Sequence, residues 1–451
     1  MANVDSRKGR GTKRNDNWDG TNANDRFLAL AGNDTCEGGG GNDFVDGGSG
    51  GDTIAGDAGD DALLGGAGDD DIDGGAGKDN INGGAGDDDI SGGAGNDTVF
   101  GGDGNDQLSG NAGKDTVLGG LGDDNVNGGA GVDSLDGGDG NDVVVGETGN
   151  DRMFGGNGDD TLVWNDGDGN DIMSGNEGRD TIEVNGAIAR ADTFVLRTVT
   201  SKAFFERVAV DGQPVGQFNL TVDTSEVFDV NGLGGNDIFR VNDLTGTGVE
   251  EVQFDGGEGN DILDGRNTST HLVAIGGNGD DTLIGGTGTV NVAPNTVLGD
   301  TLTGGTGKDS FQFFSDPFAG GVAGQNVVRP DVITDYELGI DQIVLGKAAS
   351  GINALSFQKG NSGQLSGNSN LVVLTDGFQA AGQAAAAIAN NPNFNGGRGV
   401  FVYFNTNLGF SRVVLSEDLG NNGRFTVLGN LTNLTNVANQ ANFSAADFNV
   451  G

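Results

Sequence analysis

Twenty-two aspartates in this chain stand where they could share cations. The run 20–163 divides into sixteen nonapeptides without a slip of frame. The sixth residue of every unit is aspartate: Asp25, Asp34, Asp43, Asp52, Asp61, Asp70, Asp79, Asp88, Asp97, Asp106, Asp115, Asp124, Asp133, Asp142, Asp151 and Asp160. Two further units place Asp171 and Asp180 at that position, and a later region adds Asp237, Asp261, Asp281 and Asp309. The fourth residue is glycine in fifteen of the sixteen units, Ala23 being the exception. Carboxylates at fixed spacing among glycine turns supply hard oxygen ligands, and the turn carbonyls add more. Calcium suits such a set, since it takes six to eight oxygens in flexible geometry, whereas magnesium demands a smaller and stricter octahedron. Zinc favours Cys and His, and the chain has one of each, Cys36 and His271.

The elements that hold these aspartates follow from the rest of the unit. Positions 1 to 6 are dominated by glycine and aspartate, which favour tight turns and tolerate positive φ. Positions 7 to 9 predict a short strand whose middle residue is always apolar, from Phe27 and Cys36 to Met153 and Leu162. Side chains alternate along a strand, so position 8 faces one way and positions 7 and 9 the other. A single unit cannot bury its one apolar side chain. Stacked units can, if alternate strands form two parallel sheets with position 8 between them. Two units then make one coil, and each aspartate lies near the one two units away. Stacked carboxylates repel, so such a column requires something cationic.

The unit resembles the RTX (hemolysin-type) calcium-binding nonapeptide, G-G-x-G-x-D-x-U-x, as in Gly92-Gly-Ala-Gly-Asn-Asp-Thr-Val-Phe100. That resemblance implies an all-β fold built on a parallel β-roll, Ca2+ held between successive turns, and type I secretion. It implies no catalytic activity, because such rolls are attached to many different partners.

Charge bears on the same point. The chain carries a formal net charge of -44. Residues 20–183 hold 37 Asp and Glu against 5 Lys and Arg, which is -32 of that total. A segment this acidic resists compaction until cations bind. Nucleic acid and anionic membrane are poor partners for it, since both require basic patches. The single cysteine excludes an internal disulfide, and Cys36 falls in a core slot. No run of eighteen apolar residues is present to span a membrane.

Around the main repeat the composition changes several times. Residues 1–19 read as a basic disordered tail, with no apolar stretch that would make a cleaved signal peptide. A frame jump of two residues at Trp164-Asn165 marks Trp164 as a plug in an irregular coil, within a calcium-binding roll that runs over 20–183. Residues 184–231 read as a small antiparallel β insert serving as a spacer. A second, degenerate roll covers 232–312. There Thr270 and Val290 stand where aspartate is expected, so those turns bind ions poorly, and His271 falls on the outward face as an ordinary surface residue. Residues 313–346 read as a cap that closes the roll, and Asp331–Leu345 within them resembles the segment that closes RTX rolls in serralysin-type and related secreted proteins, with Tyr336 where phenylalanine is usual. Residues 347–451 read as a β-rich domain with one short helix near 379–389. Its tip, Phe443-Ser-Ala-Ala-Asp-Phe-Asn-Val-Gly451, resembles the uncleaved C-terminal signal of type I secreted RTX proteins.

H-E-x-x-H, G-x-S-x-G, a P-loop and any Cys/His cluster are missing from the sequence, so the common catalytic signatures do not apply. The expected function is that of a non-enzymatic, secreted or cell-surface, calcium-dependent structural or matrix protein. Its partners are calcium and the type I export machinery, with cell-surface polysaccharide or matrix as a further candidate. An adhesin or carbohydrate-binding role, or an enzyme with its site in the insert or the C-terminal block, are the alternatives.

Overall fold

The computed structural model describes residues 9–210, 213–287, 290–292, 296–314, 330–421 and 423–451. It divides the chain into two compact units: residues 1–185, 202–206 and 216–229 form one, and residues 186–201, 207–215 and 230–451 the other.

The first unit is a parallel roll, and the nonapeptide explains its register. Thr98–Asp103 lies between Asn80–Ala85 and Thr116–Leu121, with Val99 opposite Ile81 and Val117. On the other face Asp89–Ser91 lies between Asp71–Asp73 and Gln107–Ser109, with Ile90 opposite Ile72 and Leu108. The pairing step is eighteen residues, two units per coil. All sixteen position-8 side chains are buried between the two sheets. Each such burial contributes roughly 1.5–3 kcal/mol, a small return for nine ordered residues. At the frame jump the step becomes twenty: Met153 faces Met173 and Leu162 faces Ile182. The extra residues are accommodated at Trp164, which is buried.

The roll begins earlier than its sequence suggested. Gly9–Arg10 pairs with Phe27–Leu28 and Asn17–Thr21 with Thr35–Gly39. Trp18 is buried and stacks on Phe27 with ring centroids 5.0 Å apart. Residues 9–19 are therefore a coil of the roll, not a disordered tail; residues 1–8 lie outside the described residues. Tryptophan at a core position supplies apolar area where glycines are fewer, so the coil packs despite its basic composition.

The stretch read as a spacer takes part in the sheets of both units. In the first, Thr221–Asp223 runs parallel to Ile172–Ser174, and Phe205 and Phe228 are buried against each other. In the second, Thr193–Leu196 runs parallel to Ile238–Val241.

The second unit contains a less regular roll. Ile262–Asp264 lies between Ile238–Arg240 and Thr282–Ile284, and Glu251–Asp255 pairs with His271–Ile275. His271 is buried, with Nδ1 3.5 Å from Glu251 Oε2, which corrects its reading as a surface residue. Thr268 and Thr270 are buried beside it, because the glycine-poor turn 265–270 does not follow the nonapeptide path. Val290–Val292 forms an antiparallel pair with Thr296–Leu298, so Val290 belongs to a hairpin and not to a roll turn.

The segment read as the closing cap is itself covered. Asp331–Ile333 pairs with Gly429–Leu431 as well as with Thr301–Leu302. Gln342–Leu345 pairs with Phe448–Val450 as well as with Ser310–Phe313. Residues 315–329 of that segment lie outside the described residues. Tyr336 is buried near Phe311 and Phe443, and its hydroxyl lies 3.1 Å from the carbonyl oxygens of Asp341 and Asp447. The remaining strands, Phe357–Gly360, Leu371–Phe378, Gly399–Asn405, Phe410–Ser416 and Phe425–Leu431, form a mixed sheet. Ala384, Ala385 and Ile388 of the helix Ala381–Ala389 pack on Val372, Leu374, Phe401 and Tyr403. A second helical turn spans Lys347–Ser350.

Candidate metal centre

Every one of the twenty-two sequence-identified aspartates is buried. In the first unit they fall into two columns. One runs through Asp25, Asp43, Asp61, Asp79, Asp97, Asp115, Asp133, Asp151 and Asp171. The other runs through Asp34, Asp52, Asp70, Asp88, Asp106, Asp124, Asp142, Asp160 and Asp180. Within a column the backbone N–H of each aspartate donates to Oδ1 of the next. Asp61 N–H to Asp79 Oδ1, for example, is 2.8 Å. In the second unit Asp237, Asp261, Asp281 and Asp309 form a corresponding column.

The other carboxylate oxygen carries the chemistry. Oδ2 of each aspartate from Asp34 to Asp180, and of Asp237, Asp261 and Asp281, is buried without a hydrogen-bond partner. A buried carboxylate oxygen with no partner is costly. Beside most of these oxygens lies a hollow at the position-1 glycine, although Ala29 and Asp166 stand at that position in the turns of Asp34 and Asp171. A Cβ on Gly56 would stand 2.5 Å from Asp61 Oδ2 and 2.6 Å from the Gly74 carbonyl oxygen. One carboxylate oxygen and one carbonyl oxygen of the next coil thus border the same space. Among the described residues no three His, Cys, Asp or Glu side chains converge on one point. Each such hollow is bordered by a single carboxylate, and the other oxygen beside it is a backbone carbonyl. This donor set fits calcium, which accepts carbonyl oxygen as readily as carboxylate.

Electrostatics points the same way. Burial pushes the Asp79 carboxyl up to about 7; the Asp61 backbone N–H lowers it, and the Asp97 and Asp61 carboxylates raise it. Asp52, Asp61 and Asp97 are pushed up to about 6 in the same manner, burial first. Asp237 reaches about 8, again chiefly through burial, with Asp261 and Asp192 adding to it. A cation in the column would restore the ionised form.

The structure adds column members that lack the full glycine frame. Asp16 precedes Asp34, Asp192 precedes Asp237, and Asp341 follows Asp309. Asp300 accepts from the Leu272 N–H, filling the column place that Thr270 leaves empty, and its own N–H donates to Asp331. Asp180 N–H donates to Glu226. A signal for the aspartates exists in the sequence: each begins an Asp-x-apolar triplet, as in Asp16-Asn-Trp18, Asp300-Thr-Leu302 and Asp341-Gln-Ile343.

A second ladder escaped the sequence reading. Position 5 varies, which makes its side chain look dispensable, yet an Asn or Asp there accepts from the backbone N–H two units onward. Lys114 N–H donates to Asn96 Oδ1 at 2.9 Å, and Asp123 N–H to Asn105 Oδ1 at 2.8 Å. These bonds run opposite in direction to the position-6 column and lie on the exposed side of the turn.

Comparison with known families agrees with this arrangement. The model of the RTX calcium-binding nonapeptide repeat matches repeatedly over residues 10–162 and again over 165–186. The model of the Peptidase M10 serralysin C-terminal region matches residues 217–376. Residues 10–162 and 165–186 thus carry RTX calcium-binding nonapeptide repeats, and these repeats bind Ca2+. The second match is to the C-terminal region of that peptidase family and not to its catalytic domain. Both matches point to a secreted protein. No curated protein matches the chain. Among the described residues no helix is long and apolar enough to cross a membrane.

Proposed function

We propose that this is a non-enzymatic structural, matrix or cell-surface protein whose rolls fold on calcium after export. The observation that carries the proposal is the row of buried, unpartnered Oδ2 atoms, most of which, at the position-6 aspartates from Asp43 to Asp142 and at Asp237, Asp261 and Asp281, share a position-1 glycine hollow with a carbonyl oxygen of the next coil. Bound calcium supplies the positive charge and the oxygen coordination that these atoms lack. The chain's own residues do the rest. Each position-6 aspartate fixes one oxygen on the neighbouring backbone and leaves the other for the ion. Each position-1 glycine keeps the hollow open. The position-8 residues hold the coils in register. The ligands are the position-6 aspartates from Asp34 to Asp180, with Asp237, Asp261, Asp281 and Asp309 in the second roll; Oδ2 of Asp25 is taken by Thr21.

Free calcium inside a cell lies far below the roughly 10⁻⁴–10⁻³ M affinities of extracellular calcium modules. There the roll stays unfolded, because one apolar side chain in nine does not offset chain entropy and like-charge repulsion. An unfolded acidic chain is a suitable substrate for a narrow type I exporter. Outside, calcium binds only the folded form, so its binding free energy becomes folding free energy. Coils contact only their neighbours, which makes folding cooperative along the stack. The test is a calcium titration followed by circular dichroism. A sigmoidal gain of β-structure is expected, and full sheet signal and protease resistance in chelator would overturn the proposal.

A further inference from the structure

We infer that the backbone at position 2 decides which turns take calcium, and that Thr12 and Thr21 close the first turn of each column in the first unit. The inference rests on the calcium reading above. In the turns whose Oδ2 is unpartnered, position 2 has positive φ whatever its side chain. Gly39, Gly48 and Gly102 show this, as do Leu30 at 85°, Asp57 at 66°, Asn111 at 67°, Glu147 at 60° and Asn176 at 79°. With Leu233 at 67° in the turn of Asp237, six non-glycine residues in a region that side chains rarely adopt indicate a backbone held there by the stack.

Thr12 and Thr21 occupy position 2 of the units beginning at Gly11 and Gly20, and neither has positive φ. A β-branched residue is the type least able to adopt that conformation. Their peptide N–H groups point at the carboxylate instead. Thr12 N–H lies 2.5 Å from Asp16 Oδ2 and Thr21 N–H 2.7 Å from Asp25 Oδ2. Both hydroxyls add a second bond to the same oxygen, at 3.0 and 2.8 Å. The oxygen that interior turns leave for a cation is here taken by the chain. Asp16 heads one column and Asp25 the other among the described residues, so each column starts on a closed turn. The second unit obeys the same rule: Ala187, Gly286 and Glu337 lack positive φ, and their N–H groups donate to Oδ2 of Asp192, Asp300 and Asp341. In closed turns Oδ2 is satisfied by the chain itself, although Asp25 Oδ1 is buried without a partner, and these turns give the open coils a preformed surface to build on.

The test counts calcium by native mass spectrometry on the full chain, with folding checked by circular dichroism. T12G/T21G should bind one more ion for each turn reopened. T12V/T21V keeps the β-branch and the N–H, and should bind the wild-type number. Conversely, D57T should close the turn of Asp61 and lose an ion, whereas D57N should not. Equal calcium counts in wild type and T12G/T21G would overturn the inference while leaving the calcium reading intact. A wild-type chain that binds no calcium would remove both. T12G/T21G decides the question alone if D57T does not fold.

Discussion

The backbone N–H of Asp97 donates to Oδ1 of Asp115, 2.7 Å away, while that of Lys114 donates back to Oδ1 of Asn96 at 2.9 Å. Adjacent residues of one turn thus pin it to the next coil in opposite senses, one bond buried and one exposed. The buried partner leaves Asp97 Oδ2 for an ion.

This relationship ranks two neighbouring substitutions. Asp97→Ala removes a ligand and the acceptor for the Asp79 N–H, a bond to a charged group worth roughly 1.5–3 kcal/mol. Asn96→Ala removes one exposed neutral bond, about 0.5–1.5 kcal/mol. Calcium titrations of the two variants should show the larger rise in midpoint for Asp97→Ala. Equal midpoints would mean that position 6 is not the ligand.

Glycine at position 1 gives a steric test that removes no carboxylate. Gly56 does not have positive φ, so Gly56→Ala strains the backbone little. Its methyl would nonetheless fill the hollow between Asp61 Oδ2 and the Gly74 carbonyl. The variant should bind less calcium and need more of it to fold. Unchanged calcium binding by isothermal titration would show that the ion sits elsewhere.

The pH dependence has two opposite parts. In the calcium-free roll the column carboxyls have raised pKa values, about 6 for Asp61 and about 7 for Asp79, against an ordinary value of 3.8. Between these limits the folded chain holds more protons than the unfolded one. Its stability therefore falls as pH rises through that window. In chelator, β-structure should be greater near pH 5 than near pH 8. With calcium the order reverses, since the ion needs the ionised carboxylate, and apparent affinity should drop as pH falls below about 6. Circular dichroism across pH, with and without calcium, checks both signs.

Ion selectivity follows from the donor set. One carboxylate and backbone carbonyls per turn make an irregular oxygen cage, which magnesium rejects because it dehydrates reluctantly. Calcium should order the chain and magnesium at equal concentration should not. Equal ordering by both, measured by circular dichroism, would reduce the effect to charge screening.

The tail combines two roles in one deletion. Phe448–Val450 extends the sheet edge at Gln342–Leu345, Phe443 and Phe448 are buried, and Asp447 accepts from the Gly339 and Ser444 N–H groups. Removing residues 442–451 should uncover that edge and lower the thermal midpoint of the second unit. It should also retain the protein in a host that carries a matching type I exporter. Undiminished release, measured in the medium, would separate the segment from export.

Some of this was determined by the sequence alone. A frame of nine with an invariant aspartate and an apolar position 8 admits one way of stacking, because side chains alternate and each unit must share its core. The parallel roll, the eighteen-residue step and the calcium-ligand columns follow locally from that periodicity. The first coil was readable too, since Asn15-Asp16-Asn17-Trp18 keeps the frame, but its basic residues obscured it. Tertiary structure alone decided the rest. Asp300 joins a column only because the strands Val273–Asn278 and Thr301–Thr306 pair across a gap that no period spans. The covering of Asp331–Ile333 by Gly429–Leu431 links residues about a hundred places apart, and no local pattern encodes such a contact. Open and closed turns differ in one φ at position 2. Residue type alone does not set that angle, since Ala187, Gly286 and Glu337 close their turns without the β-branch of Thr12 and Thr21, so a sequence of turns becomes a set of sites only once the coils are in contact.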